Sequence, residues 1–209
     1  MRAVMELPLT SQIYLLAYDT DKGKLTCNGY LGYILRAAAL TELHLQGALA
    51  DADGRPRATG AKVHDALLAE VLREIASAPK PKKWSWWVHH GQTPMFRAVQ
   101  QRLADGRVVT TERYRILGIF PATRVKVHEH RAVARLRSAV SHTLNGGDPK
   151  PRDAALTALA ATGEIRIAVS RAQTRQYAKR LDSLVAQAGP ALPALRKVIR
   201  DHRAATESG

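Results

Sequence analysis

The stretch LGYILRAAALTELHLQG, residues 31–47, decides what kind of fold this chain can adopt. At helical spacing, Leu31, Ile34, Leu35, Ala38, Ala39 and Leu43 cover much of the circumference instead of one stripe. A helix apolar on most sides is buried on most sides, so it belongs at the centre of a domain with other elements packed around it. Gly47 supplies the stop. One residue breaks the pattern. Arg36 lies on this apolar helix, and removing a guanidinium from water is costly unless a carboxylate or a bound anion answers it. Glu42 and Asp19 are the internal candidates, while the planar fork of arginine equally suits phosphate oxygens.

Working outward, Ile13, Leu15, Leu16 and Tyr18 predict a short first helix capped by Thr10 and ending before the turn-like run 19–23. Downstream, Asp53-Gly54 reads as a hairpin turn. Val63, Leu67, Leu68, Val71, Leu72 and Ile75 form an amphipathic pattern closed by Pro79. The basic connector Lys80-Pro81-Lys82-Lys83 leads to Trp84, Trp86 and Trp87, which suit core or subunit packing better than an interfacial anchor. A helix follows over 94–103. Residues 108–111 and 114–120, rich in β-branched and aromatic side chains, suggest a hairpin. The remainder is helical in pattern over 128–144, 153–162, 164–187 and 190–203, with a Gly/Pro loop at 146–151. The expected fold is mainly α: a single helical domain over residues 1–203 with one or two small hairpins, and a frayed tail over 204–209.

The net charge of +14 calls for an anionic partner, and its distribution is uneven. Residues 1–79 carry −1, residues 80–152 carry +11 and residues 153–209 carry +4. The single cysteine, Cys27, excludes an internal disulfide and suits a reducing compartment. No apolar run is long enough to span a bilayer, so membrane contact would be peripheral. His89-His90 and His128-Glu129-His130 lack the i, i+4 spacing of a zinc-binding helix, so no metal is expected. Neither a phosphate-cradling Gly-Lys-Ser/Thr loop nor a dinucleotide fingerprint occurs, and nothing beside Cys27 would activate it as a nucleophile. The expectation is a protein without cofactor or catalytic residues, not an enzyme.

Several segments in order resemble the Golgi phosphoprotein 3 family. They are residues 13–19 leading through Lys22-Gly23-Lys24-Leu25, then residues 36–47, Arg102-Leu103, residues 108–112, Gly118-Ile119-Phe120-Pro121, and residues 153–159. The absence of a long leader resembles a bacterial-type member. The resemblance implies a single compact domain of helices around a central bundle, with a protruding β-hairpin. It implies a shallow pocket of one tryptophan and three arginines that recognises phosphatidylinositol 4-phosphate. In eukaryotic relatives it implies an adaptor that retains glycosyltransferases. Carried onto this chain, the pocket positions fall on Arg36, Arg97, Gln100 and Cys27, so two arginines are kept while one arginine and the tryptophan are replaced. The expected partners are an anionic, phosphoinositide-like phospholipid and the membrane surface, with room for a protein client and for self-association. The expected location is cytoplasmic, at the inner face of a membrane.

Membrane contact is assigned to the hairpin, where Tyr114, Ile116, Leu117, Ile119 and Phe120 adjoin Arg113, Arg115, Arg124 and Lys126. The alternative is a hairpin packed onto the core. A competing function for the basic face is nucleic-acid binding or a protein–protein adaptor. No nucleic-acid motif is visible and aromatic residues make up 5%, which disfavours the former.

Overall fold

The computed structural model describes residues 6–27, 29–116 and 120–207, with backbone alone for 113–116 and 120–124. Ten helices and three two-stranded antiparallel hairpins make up these described residues. The first third holds α1 (Leu9–Leu16), β1 (Tyr18–Asp19), β2 (Lys24–Leu25), α2 (Leu31–Leu45), β3 (Leu49–Ala52), β4 (Arg55–Ala58) and α3 (Ala66–Ala76). Then come α4 (Trp84–His89), α5 (Gln92–Asp105), β5 (Val109–Ile116) and β6 (Phe120–Val127). The last third is α6 (His130–Leu144), α7 (Pro151–Thr162), α8 (Arg171–Gln176), α9 (Ala178–Ala188) and α10 (Ala191–Glu207).

Helix α2 is the axis. Every residue from Leu31 to Leu43 is buried, and α1, α3, α4, α5, α7 and α10 all pack against it. Each large apolar side chain buried here contributes about 1.5–3 kcal/mol. At Gly32 a Cβ would lie 2.8 Å from the Gln92 carbonyl oxygen of α5, so only glycine lets the two helix starts approach this far.

Helix α1 is buried along its whole length, but Thr10 does not cap it. The helix starts at Leu9, and the carboxylate of Glu42 on α2 accepts from the Leu9 amide at 2.7 Å. A tertiary acceptor has taken the role that local sequence assigned to Thr10. Helix α3 does obey its local signal. Asp65 accepts from the Leu67 and Leu68 amides at 3.0 Å each, a side-chain N-cap. The same carboxylate takes the Arg102 guanidinium through two bonds of 2.8 and 2.9 Å, tying α3 to α5.

The large hairpin is displaced from its expected register. Strand β5 runs on to Ile116 and pairs with Phe120–Val127, with Val109 opposite Val127 and Ile116 opposite Phe120. The second strand thus carries Pro121, Arg124 and Lys126, which hide its extended character. Proline is tolerated because each strand of a two-stranded ribbon is an edge. Buried Val109, Val125 and Val127 anchor the base of the ribbon in the core.

Two further differences concern helices. Residues 84–89 form a short helix, and the expected helix over 164–187 is two helices preceded by a non-helical stretch. Glu164 adopts a left-handed φ of +53°, and Ser170 with Gln173 forms a capping box that starts α8 afresh. The tryptophans divide. Trp84 and Trp87 are core residues, and the Trp84 indole donates to Asp51 at 2.5 Å, whereas Trp86 is 39% exposed.

Candidate functional site

Arg36 is 2% exposed, so its charge must be answered inside the protein. Its Nη2 pairs with the Glu74 carboxylate of α3, and its Nε donates to the Trp87 carbonyl at 3.2 Å. The internal partner is therefore neither Glu42 nor Asp19. Glu42 is engaged by Arg152 at 2.9 Å and by the Leu9 amide. Asp19 accepts from the amides of Asp21 and Lys22 at 3.0 and 3.1 Å. Glu74 could not have been singled out from sequence, because it sits on the polar side of an amphipathic helix like any solvated acid. Its side chain is 38% exposed, so the pair is buried at one end and open at the other.

The residue preceding α5 completes this arrangement. Gly91 has a φ of +72°, and a Cβ there would stand 3.3 Å from the Arg36 Cζ. Glycine is thus required both by the backbone and by the guanidinium against it. Six residues further on, Arg97 lies exposed on α5, with no hydrogen bond or ion pair among the described residues. Arg36 and Arg97 are in this way both associated with the first half of α5, one against the residue that begins it and one on its surface.

The other two positions are occupied internally. Gln100 donates from Nε2 to the Tyr14 hydroxyl at 2.9 Å, tying α5 to α1. Burial pushes the Tyr14 phenol up to about 12, with the Gln100 bond acting in the opposite sense. Cys27 has a left-handed φ of +59°, and its carbonyl accepts from the Leu31 amide at 2.7 Å where α2 begins. Its thiol points to the Glu164 carbonyl at 3.5 Å. Burial pushes the thiol up from its ordinary value, with a smaller contribution from the Glu164 charge, against hydrogen bonds that work to lower it. A thiol held protonated is a poor nucleophile.

Glu164 itself anchors α10. Arg203 grips it through two bonds of 2.7 Å, and Arg166 adds a third. Burial opposes ionisation here, but the two guanidiniums outweigh it and keep the carboxyl below its usual range. Three of the four histidines flagged in the sequence have other engagements: His89 stacks on Tyr33, His90 on Trp86, and His128 bonds to Thr110. Among the described residues no three His, Cys, Asp or Glu side chains gather as a metal site.

Of the hairpin residues assigned to membrane contact, Leu117 and Ile119 lie outside the described residues, as do the side chains of Arg113, Tyr114, Arg115, Ile116 and Phe120. Among the described residues no helix is long and apolar enough to cross a membrane.

These features define a mainly α domain wrapped around a buried helix that carries one paired arginine, with a long two-stranded ribbon beside it. The chain belongs to the Golgi phosphoprotein 3 (GPP34) family, whose model matches residues 9–202. No curated protein matches the chain.

Proposed function

We propose that the chain is a peripheral membrane protein that binds a phosphorylated, phosphoinositide-like lipid headgroup at the cytoplasmic face of a membrane, and that it serves as an adaptor for a protein client rather than as an enzyme. The observation that carries this reading is the concentration of +11 within residues 80–152, the segment that supplies α5 and the hairpin. Family membership supports it, because the resemblance implies a headgroup pocket whose arginine positions correspond to Arg36 and Arg97. The Arg36–Glu74 pair also fits a site of this kind. Glu74 is an anion already paired with the Arg36 guanidinium, and its half-exposed side chain has room to turn to solvent in favour of a more highly charged one.

Co-sedimentation of the full chain with vesicles tests the reading. Binding to vesicles containing anionic phosphoinositide, weakened by salt as screening shortens the reach of the basic face, is the expected result. Equal sedimentation with neutral and anionic vesicles at low salt would sink it. A gel shift with nucleic acid in the same buffer separates the competing reading, for which duplex binding would exceed vesicle binding.

A further inference from the structure

A cavity of about 660 Å³ opens between α4 and α10, with Tyr33 of α2 in its lining. None of Arg36, Arg97, Gln100 or Cys27 lines it. Its charge is one-sided. Arg55, Lys82, Lys83 and Lys197 face it against a single acid, Asp201, which Lys197 already holds at 2.5 Å. Among the described residues, Arg55, Lys82 and Lys83 form no ion pair. Three cations beside one cavity repel one another, and an anion between them removes that cost.

An aromatic residue holds one of these cations at the rim. The Lys82 ammonium lies 5.6 Å from the centroid of the Trp86 ring, and the same indole stacks on His90 at 4.2 Å. Trp86 is the exposed large hydrophobic residue among those described, and as a cation–π partner it fixes a lysine that would otherwise sweep through solvent. Deeper in, Tyr33 is stacked on His89 at 5.4 Å and meets His202 edge-on at 5.5 Å. These interlocked rings form a wall before any ligand arrives, which lowers the entropic cost of binding.

Size and chemistry together define the ligand. Cavities of roughly 300–1,000 Å³ hold small organic molecules, so this one is too roomy for a bare phosphate ion. An apolar ligand would bury ammonium groups with no counter-charge. We propose that the cavity binds a phosphate monoester carried on a small polyol or sugar, its phosphate met by Lys82, Lys83 and Arg55 and its carbon-bound hydrogens lying against Tyr33 and Trp86. Two sources offer such an ester, a free metabolite and a headgroup displayed on a lipid, because the recognised chemistry is the same.

The test uses the full chain, with glucose 6-phosphate and glycerol 3-phosphate as probes and inorganic phosphate, glucose and glycerol as controls. Calorimetry is followed beside tryptophan fluorescence, with the Trp86→Ala variant assigning the change to Trp86 among the three tryptophans. The expected result is saturable binding of the esters, weaker binding of inorganic phosphate and none of the neutral polyols. The Lys82→Ala/Lys83→Ala variant, altered only in an exposed connector, should lose about tenfold in ester affinity with unchanged circular dichroism. Trp86→Ala should weaken binding by releasing Lys82. Ester affinity unchanged in the folded double variant, or neutral polyols binding as well as their phosphates, or no saturable binding of either ester, overturns the proposal. Vesicles displaying a phosphorylated inositol separate the sources. Competition between vesicle and soluble ester identifies the lipid, and vesicle binding untouched by ester identifies the free metabolite. Ester binding that persists while vesicle binding fails would sink the membrane reading alone.

Discussion

A buried arginine facing a half-exposed glutamate is stabilising only as a pair. Removing Glu74 leaves the Arg36 charge with the Trp87 carbonyl as its remaining partner. Loss of one member of a buried pair costs about 3–5 kcal/mol, and the exposure of Glu74 to screening brings the expectation down to about 1–3 kcal/mol. Glu74→Ala should therefore lower the melting temperature in a thermal scan. If Arg36 is a headgroup ligand, the same change removes its internal competitor, so headgroup affinity in a titration should rise as stability falls. Arg97→Ala should do the reverse, leaving stability unchanged and weakening headgroup binding by about tenfold, the value of one charged hydrogen bond. A Glu74→Ala protein that is both less stable and a weaker binder would make Arg36 a structural residue only.

Single elements show where sequence was sufficient and where it was not. The central position of α2 was legible because its apolar residues fill the circumference, a property of the segment itself. The start of α1 was not, since Glu42 caps it from thirty-three residues away. The register of the large ribbon was obscured by Pro121, Arg124 and Lys126, residues that suit an edge strand but do not advertise one. The need of Arg36 for a buried partner was legible from the apolar helix around it, but no local pattern pointed to Glu74 as that partner or to the Gln100–Tyr14 bond. Both depend on which helix faces come together.

Asp65 illustrates an element held at one point. Burial works against its ionisation, but Arg102 and the Leu67 and Leu68 amides prevail and keep its carboxyl below the usual range. A carboxylate with a depressed folded value stabilises fully above about pH 4, where unfolded aspartates ionise, and that contribution fades as pH drops through the folded value. Asp65→Ala should cost about 2 kcal/mol at neutral pH, combining a lost cap with a lost bidentate contact. Its denaturant midpoint should also change less than that of the parent between pH 5 and pH 3. For the ribbon, Ile116→Asp with Leu117→Asp should abolish vesicle binding while helical circular dichroism persists. Vesicle binding retained by the folded double variant would make the ribbon a structural element alone.

At the scale of the whole molecule, 32 basic residues against 18 acidic leave an excess of +14, and several of the scarce acids are spent on arginines inside the fold. Arg36, Arg102, Arg152, Arg166 and Arg203 each answer a carboxylate that also joins helices or loops. Arginines knit the domain, while lysines are more often left to the surface. Acid should therefore loosen the molecule from within and in stages: burial raises the Glu42 carboxyl, so Arg152 is released early, whereas Asp65 and Glu164, held below the usual range, keep Arg102, Arg166 and Arg203 to lower pH.

The encirclement of α2 by both ends of the described chain has a consequence for synthesis. Its cover includes α1, made before it, and α10, made long after it, so a nascent chain on the ribosome carries a fifteen-residue apolar helix while one of its walls does not yet exist. Completion must wait for residues beyond Ala191, and until then the exposed surface of α2 invites association with other chains. A chain halted before Ala191 should collect in the insoluble fraction of a cell lysate, while the full chain stays in the supernatant. Recovery of the shortened chain as a soluble, cooperatively melting species would mean that α1, α5 and α7 protect the helix without its last partner.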